Sequence, residues 1–451
     1  MHRDGLQSDW TLLNENIVKS PLHENVIRSN MVRKLDSFTE PVMDELRACF
    51  EDYWGSSTEW HEVNIWNSML KFFARTSNRM FVGLPLCRNE EFLDGCRRFA
   101  TDILLASLIL SFITKWIKPV LGYLVIAPNW WHYRKAAKRL LPLIEFRLDK
   151  VRQNPEKDPS DILPNDFVTW SIVEAMRSTD PRERTSELIA KRTMTTNFAA
   201  IHTTTLTSTN LLIDLLSSDQ KLGFMDALTS EVGAIDQTNG GSWSKSALAE
   251  MTRTDSALRE SMRVSGFVVF GVQRKVVAKE GVTLPDGTNI PYSNIITVPA
   301  WSTHHDEAVY EHPFQYDALR FSRQRDALSG ENQKVHVGEE GLVEGEQGYV
   351  DPKTPASREA DEPARNDKDL AKILEGKNMS SVSTGSHFMQ FGHGKLSCPG
   401  RFFAVQEIKL MMAYMLLNYD IKYIGTRPER KWMGTLVVPD TSATILVKRK
   451  S

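Results

Sequence analysis

Apolar residues recur at spacings of three and four through most of residues 20–265, and clusters of Pro, Asn and Asp interrupt them. This pattern predicts a series of helices joined by loops such as 157–166. A segment without Pro or Gly runs from Thr185 to Leu216, which is long enough for one helix of about 30 residues. Its many threonines lower the helix propensity, so we expect tertiary packing to hold it.

The pattern changes after Phe267. Alternating β-branched residues and turn signals such as Asp286-Gly287 predict short strands up to Val298. Residues 331–370 hold 11 acidic and 5 basic residues and no Phe, Trp, Ile or Met. We therefore expect a polar acidic insert, bounded at 322–387, that is disordered at the surface. Residues Pro399–Leu417 again have helical spacing.

The composition excludes several classes of protein. The chain has 451 residues and a formal charge of −2, which argues against nucleic-acid binding through a basic surface. Its 41% hydrophobic content supplies a packed core. Four cysteines cannot form a disulfide framework, so a reducing or thiol-tolerant compartment is expected. The polar start of the chain has no signal-peptide pattern.

The most apolar segment is Ile103–Ile113, which reads ILLASLILSFI. At about 1.5 Å per residue it covers roughly half of a bilayer core, so it is not a membrane span. Trp130, Trp131 and a basic run follow it: Arg134, Lys135, Lys138 and Arg139. Two interpretations stay open, namely peripheral contact with a membrane surface and a buried helix followed by a solvated one.

The segment FGHGKLSCPGRFFA, residues 391–404, carries the main chemical signal. An isolated cysteine is most often an inert buried thiol. Here Gly392 and Gly394 allow a tight loop to approach a flat, bulky group. Pro399 predicts the first helical turn with Cys398 at the cap, where free N–H groups and the helix dipole favour a thiolate. Such a thiolate suits a nucleophile or a metal ligand, and an iron porphyrin is one group that fits.

Phe391, Gly394, Cys398 and Gly400 match the cysteine signature of the cytochrome P450 haem-thiolate monooxygenases, which this segment resembles. The resemblance implies a mainly α fold, a helical bundle around haem b with small β-sheets, as one domain over residues 1–451. It makes Cys398 the axial ligand of the haem iron. Leu396 departs from the family pattern, because a basic residue is expected there.

The resemblance assigns further residues to the cofactor and the core. Lys395 and Arg28 would compensate for Leu396, and Arg274 matches a position where the family places an arginine on a haem propionate. The segment ALRESMR holds Glu260 and Arg263, which three-residue spacing puts on one helix face. Such a pair alone is usually a solvated ion pair. The resemblance instead implies that both join Arg320, from HPFQYDALRF, in a buried structural cluster.

FAAIHTTT, residues 198–205, resembles the oxygen-activation segment of the family. Ala199 and Ala200 would leave room beside the haem, and Thr203 would hold the water that relays protons. His202 stands where the family usually has an acid. Either it helps to shuttle protons, which its ordinary pKa near 6.5 would suit, or it faces away and bonds a neighbouring helix. The sequence leaves these two readings open.

Together with TSNRMFVGLPLCRN, residues 76–89, this segment looks like a filamentous-fungal group that includes ent-kaurene, indole-diterpene and other terpenoid oxidases. The similarity runs from about residue 10 to residue 445. The family's membrane anchor, first strands and first helices have no counterpart here, so we expect a truncated gene model or a shortened paralogue. By their position within the family, residues 267–270 and 436–438 would form an apolar wall beside a lipophilic substrate, and the alternative is that they belong to the ordinary core.

The expected function is therefore hydroxylation or oxidation of a lipophilic secondary metabolite, most plausibly a terpenoid, with O2. No nucleotide-phosphate loop is readable in the sequence, so the electrons must come from elsewhere. The resemblance implies that NADPH-cytochrome P450 reductase supplies them. It would dock on a basic face that includes Arg401, at the cytoplasmic face of the endoplasmic reticulum. Three rivals remain: a haem-thiolate isomerase, dehydratase or peroxide-using enzyme; a non-catalytic remnant; and a helical interaction protein.

Overall fold

The computed structural model describes residues 6–114, 116–330, 376 and 378–451. Helices make up most of this part of the chain, as the sequence predicts. The α-helices, numbered in chain order, are α1 (Ser8–Thr11), α2 (Glu15–Lys19), α3 (Leu22–Val26), α4 (Thr39–Tyr53), α5 (Ile65–Phe81), α6 (Glu90–Phe112), α7 (Lys118–Val125), α8 (Ala127–Arg152), α9 (Pro159–Ile162), α10 (Phe167–Arg177), α11 (Ser186–Leu216), α12 (Phe224–Thr238), α13 (Lys245–Glu250), α14 (Thr252–Ser265), α15 (Ala300–His304), α16 (Arg320–Gly330) and α17 (Arg401–Asn418).

Short strands form four small antiparallel sheets. The strands are β1 (His61–Asn64), β2 (Gly271–Lys275), β3 (Val282–Thr283), β4 (Asn289–Ile290), β5 (Ile295–Val298), β6 (Tyr419–Ile421), β7 (Lys431–Met433), β8 (Leu436–Val438) and β9 (Thr444–Arg449). The sheets have the orders β1-β9-β6, β2-β5, β3-β4 and β7-β8. The strands predicted between Phe267 and Val298 are therefore confirmed.

Helix α11 is the central element, and it confirms the prediction for residues 185–216. The hydroxyl of Thr185 caps its first turn by accepting the N–H of Leu188. Most of its side chains are buried, and it packs against α5, α6, α8 and α14. Several of its threonines donate their hydroxyl hydrogens to carbonyls one turn earlier, as Thr205 does to Ile201 at 2.7 Å. These bonds satisfy most of the buried hydroxyls, whereas that of Thr209 has no partner among the described residues.

One cluster of buried apolar residues extends from Leu12 to Val447, so both ends of the chain contribute to the same core. Helices α4, α5 and α17 place large aromatic side chains in it, among them Phe50, Phe72 and Tyr414. A mainly α fold with small sheets, as predicted, is thereby confirmed.

The structure describes both flanks of the segment predicted as an acidic insert, residues 322–387. Its predicted residues 322–330 belong to α16, and residues 378–387 form turns that are fixed to α14. One carboxylate holds both flanks, because Asp255 accepts hydrogen bonds from Arg325 at 2.6 Å and from the Ser381 N–H at 3.0 Å. Arg325 precedes the insert and Ser381 follows it. The remaining residues, 331–375 and 377, lie outside the described residues.

The apolar segment Ile103–Ile113 lies mostly in the last half of α6 and has two apolar faces. Ile103, Ala106 and Leu110 are buried, whereas Phe112 is 82% exposed. An apolar surface continues from this face through α7 to the start of α8; its exposed members are Leu105, Leu108, Ile109, Phe112, Trp116, Ile117, Val120, Leu121, Tyr123, Leu124 and Trp131. Within the described ranges, no helix combines the length and the apolar character that a membrane span requires.

Candidate active site

The loop before α17 presents Cys398. The N–H of Cys398 donates to the carbonyl of Phe391 at 2.7 Å, and the N–H of Ser397 donates to that of Gly394 at 2.9 Å. Gly392 and Gly394 have φ values of +70° and +69°. Glycine adopts such positive φ values easily because it has no Cβ. The tight loop predicted from these two glycines is therefore present.

The start of the following helix differs from the prediction. Gly400 is its N-cap and Arg401 its first residue, so Pro399 lies in the preceding turn and Cys398 lies two residues before the cap. The thiol still lies near backbone N–H groups, because the turn directs those of Gly400 and Arg401 toward it.

The four cysteines differ in their access to solvent. Cys49, Cys87 and Cys96 are fully buried, whereas Cys398 is partly exposed. In the protein alone, burial raises the pKa of the Cys398 thiol, while the N–H groups of Gly400 and Arg401 and the charge of Arg401 oppose this increase. The N–H groups and Arg401 thus favour the thiolate as predicted, but burial has the larger effect on the pKa of the thiol.

Arg401 forms hydrogen bonds to the cysteine loop itself. Its guanidinium donates to the carbonyl oxygens of Cys398 at 2.9 Å and Val382 at 3.1 Å, and to the hydroxyl of Ser397 at 3.2 Å. The sequence suggested Arg401 as a contact for a redox partner. These three bonds fix the cysteine loop to the preceding segment, and a contact of Arg401 with a redox partner stays a prediction.

The structure brings Arg28 to the cysteine loop, where its guanidinium donates to the carbonyl of Lys395 at 3.0 Å. The side chains of Lys395 and Leu396 are both exposed, that of Leu396 to 63%. Arg28 also contributes positive potential at Cys398. Two of the basic residues predicted at the cofactor are therefore adjacent in the fold.

Arg274 lies on β2, where its side chain is exposed and bonds the carbonyl of Gln273 at 2.8 Å. A β-bulge between Gly271 and Arg274 changes the register of β2 with β5. It includes Val272 at a φ of +50°, a strained conformation for a β-branched residue. Bulges redirect side chains, and this one determines the face on which Arg274 lies.

One stripe of the otherwise buried helix α11 is open. Ala199 and Thr203 are exposed, and Ala200 and Thr207 are partly exposed. Spacings of four residues put Ala199, Thr203 and Thr207 on one face. The Thr203 hydroxyl donates to the carbonyl of Ala199 at 2.7 Å, which leaves its oxygen lone pairs free to accept hydrogen bonds. Small side chains and one hydroxyl are therefore accessible on one face of the central helix.

His202 lies on a different face of α11 from Thr203. Successive helical residues differ by about 100°, and the His202 side chain is buried against α6. Its Nε2 lies 3.0 Å from the hydroxyl oxygen of Thr101. Burial lowers the pKa of His202 to about 4, so the imidazole is neutral near pH 7. This placement agrees with the second reading, in which His202 bonds a neighbouring helix.

Glu260, Arg263 and Arg320 meet in the interior. The Glu260–Arg263 ion pair has an N–O distance of 2.7 Å, and both side chains are fully buried. Arg320 reaches the same carboxylate at 2.9 Å. Arg263 also donates to the carbonyl oxygens of His304 at 2.7 Å and Pro313 at 2.6 Å. The arrangement is the buried cluster that the resemblance implies, not a solvated ion pair.

The two apolar segments predicted beside the substrate are neighbours. Val268 and Leu436 form a β-bridge, and the N–H of Val437 donates to the carbonyl of Phe267 at 3.2 Å. Phe270 is largely exposed, whereas Val437 is buried. The segments therefore form one apolar wall, with Val437 on its core side.

The residues present fit a haem. The partly exposed Cys398, the glycine loop that presents it and the exposed stripe of small residues on α11 have the chemistry that a haem requires. Among the described residues, no group of three or more His, Cys, Asp or Glu side chains is placed to hold a metal ion. A porphyrin supplies the other ligands itself, so a single cysteine suffices for it.

Sequence reasoning missed two buried polar residues near the loop. His304 bonds Met389 and Gln390, which precede the loop. Glu407, on α17, is fully buried and accepts hydrogen bonds from the hydroxyls of Thr76 at 2.8 Å and Ser77 at 3.1 Å. Burial raises the pKa of Glu407 to about 8. Neither position has a sequence signal, because both depend on contacts between distant segments.

Comparisons with known proteins identify the family of this chain. The family model of cytochrome P450 matches residues 14–337 and 374–447. The cytochrome P450 monooxygenase gloP of Glarea lozoyensis is 30% identical over 460 aligned positions, which cover 100% of this chain and 77% of that protein. The cytochrome P450 monooxygenase okaG of Penicillium ochrochloron is 29% identical, with 99% of this chain and 79% of that protein covered.

The fold and the site thus define a haem-thiolate protein, and the chain belongs to the cytochrome P450 family. Its enzyme class is that of the cytochrome P450 monooxygenases, as predicted. Membership in this family implies an iron held by a cysteine thiolate, O2, a source of electrons and a small-molecule substrate.

Proposed function

We propose that this chain is a haem b monooxygenase acting on a lipophilic secondary metabolite of the terpenoid class. One oxygen atom of O2 would enter a C–H bond, and the other would leave as water with two electrons and two protons. The electrons would come from NADPH-cytochrome P450 reductase. The observation that carries the proposal is the partly exposed Cys398 thiol, held by the bond from its N–H to Phe391.

Cys398 would be the axial ligand, and the bound haem would supply the chemistry that activates O2. Arg28, Lys395 and Arg274 would pair with the propionates. Arg28 is the best supported of the three, because its guanidinium already contacts the loop at the Lys395 carbonyl. The bulge before Arg274 would set the direction of that side chain.

Thr203 would position the water that delivers protons. Its hydroxyl hydrogen is committed to the Ala199 carbonyl, so its oxygen can accept a hydrogen bond from water on the open side of α11. We assign this role to Thr203 without His202, whose ring bonds Thr101 on another face.

The substrate class rests on the apolar wall of residues 267–270 and 436–438, which offers Phe, Val and Leu side chains and few polar groups. Such a wall favours a hydrocarbon skeleton, because burying apolar surface is the main source of binding energy there.

We also propose that the enzyme works at the cytoplasmic face of the endoplasmic reticulum. The apolar surface of α6, α7 and α8 includes Trp116, which is 94% exposed. Arg134, Lys138 and Arg139 are exposed farther along α8, where Arg139 pairs with Glu91 at the start of α6, the opposite end from Phe112. The proposal therefore rests on the apolar and aromatic side chains, which suit a membrane interface.

Reconstitution tests the function directly. The purified chain with haem should give the thiolate-type Soret band after reduction and addition of carbon monoxide. Terpenoid scaffolds should change the spin state of the iron, and product should require NADPH and reductase.

A chain that binds no haem would be a remnant, and turnover with peroxide alone would favour the isomerase or peroxide-using class. His202 motivated that class, and its position away from Thr203 removes this support.

A further inference from the structure

His304 is a fully buried histidine at the end of α15, and both of its ring nitrogens have partners. The N–H of Met389 donates to Nε2 at 3.0 Å, and the side-chain amide of Gln390 lies 3.1 Å from Nδ1. These two residues directly precede Phe391, whose carbonyl accepts the N–H of Cys398. The ring therefore contacts the segment that leads into the cysteine loop.

The hydrogen bonds determine the tautomer of this ring. A backbone N–H can only donate, so Nε2 of His304 is the nitrogen without a proton. The ring proton then lies on Nδ1 and points at the amide of Gln390. The amide oxygen of Gln390 has no other partner among the described residues, and the two ends of an amide have the same shape. This oxygen is therefore the acceptor of Nδ1–H.

The same residue contacts the buried ion pair through its backbone. The carbonyl oxygen of His304 accepts a hydrogen bond from Arg263 at 2.7 Å. Gly266 also confines Gln390, because a Cβ at Gly266 would lie 1.9 Å from the end of the Gln390 amide that faces His304. Gly266 directly follows α14, which carries Glu260 and Arg263. His304 thus connects the buried ion pair to the segment before Cys398.

We propose that His304 is a positioning residue of the cysteine loop, holding Met389 and Gln390 so that Cys398 is presented at a fixed place. It touches neither substrate nor haem and acts through the loop. Its importance for ligation of the iron rests on the proposed function, whereas its effect on the loop does not.

Three variants separate the two ring contacts. His304→Gln places an amide oxygen near the position of Nε2 and keeps an acceptor for Met389. His304→Asn places its amide near Nδ1 and keeps only the contact with Gln390. His304→Leu removes both. The adjacent His305 is a matched control, since it is also buried but bonds and stacks on Trp301.

Hydrogen exchange of the haem-free chain, measured by mass spectrometry on peptides covering residues 386–400, is the first readout. His304→Leu should accelerate exchange there about tenfold, as expected when one or two buried hydrogen bonds are lost. His304→Gln should stay close to the parent, His304→Asn should fall between, and His305→Leu should leave this segment unchanged. The second readout is the share of the reduced carbon monoxide adduct in the thiolate-type band at equal haem loading, with the same order expected.

Unchanged exchange and an unchanged band in His304→Leu would overturn the assignment. An equal effect of His305→Leu would also overturn it, since general loss of packing would then explain both. If the parent chain takes up no haem, the proposed function fails and exchange alone decides on His304. Should the His304 variants not fold, Gln390→Met makes the comparison from the loop side, and unchanged exchange in that variant would refute the role.

Discussion

The N–H of Cys398 donates a 2.7 Å hydrogen bond to the carbonyl oxygen of Phe391 and thereby closes the cysteine loop. Arg401 holds the same loop from the helix side through the Cys398 carbonyl. The position of the thiol is therefore set by backbone contacts, and substitution of the side chain alone should leave the loop in place. This separation makes ligation of the iron testable without unfolding the site.

Cys398→Ser should remove the thiolate-type Soret band of the reduced carbon monoxide adduct, because an alcohol does not supply the electron density of a thiolate. The measurement is the difference spectrum at equal protein concentration. Cys96→Ala is the control: Cys96 is buried beside Met194, so this variant should keep the band and lose about 1 kcal/mol of stability. A band that survives in Cys398→Ser would remove Cys398 as the ligand.

Thr203→Ala should bind haem normally but divert reducing equivalents to hydrogen peroxide, because the hydroxyl that positions water is gone. The ratio of NADPH consumed to product formed, together with peroxide released, measures this loss of coupling. Thr205→Ala is a matched control on the buried face of α11, and it should cost about 1 kcal/mol in stability without uncoupling. Tight coupling in Thr203→Ala would contradict the relay.

Glu260→Gln should lower the free energy of unfolding by about 3–5 kcal/mol, because Arg263 and Arg320 would keep buried charges without a counter-charge. Urea unfolding and the loss of haem on dilution would both report it. Asp149→Asn provides the comparison, since its pair with Arg152 is exposed and should be worth less than about 1 kcal/mol. Similar losses in the two variants would show that the buried cluster does not stabilise the core.

Glu407→Gln should change how stability depends on pH. The folded-state pKa of Glu407 is raised from 4.5 to about 8, so between these values the folded chain keeps a proton that the unfolded chain loses. Stability should therefore fall as pH rises through this window, by up to about 1.4 kcal/mol per pH unit. Urea titrations from pH 5 to 8 should show a flatter profile for Glu407→Gln than for the parent or for the exposed Glu429→Gln. Parallel profiles would contradict a protonated Glu407.

Trp116→Ser combined with Phe112→Ser should weaken binding to vesicles that contain anionic lipids, because these are the two most exposed large apolar side chains of the surface on α6 to α8. Co-sedimentation with the vesicles measures this change. Exposed apolar residues elsewhere, such as Val277, supply the control substitution Val277→Ser, which should leave binding unchanged. Equal binding by all three proteins would exclude this surface as the contact.

Patterns along the chain predicted the elements that depend on neighbours in sequence. The long α11, the strands after Phe267 and the glycine loop before Cys398 follow from periodicity, turn residues and backbone freedom. Strand β1 was not predicted, because four residues between two helices have no clear alternation and pair with β9 near the other end of the chain.

The side-chain environment of single residues was harder to predict. The face of His202 depends on where α6 packs, and nothing within α11 encodes that contact. The sequence suggested Arg401 as a contact for a partner protein. Its acceptors within the chain were not predicted, because the sequence does not show the path of the turns that supply them. The exposure of Phe112 likewise depends on which side of α6 the core covers.

Asp255 receives Arg325 from one side of the predicted acidic insert and Ser381 from the other, so one carboxylate holds the described residues on both flanks. The family match shows an interruption at the same place, between residues 337 and 374. When the ends of a loop are already fastened together, lengthening it adds only a logarithmic entropy cost. This junction is consequently a site where the chain can accept or lose length, or carry a fused reporter, with little effect on the haem-binding interior.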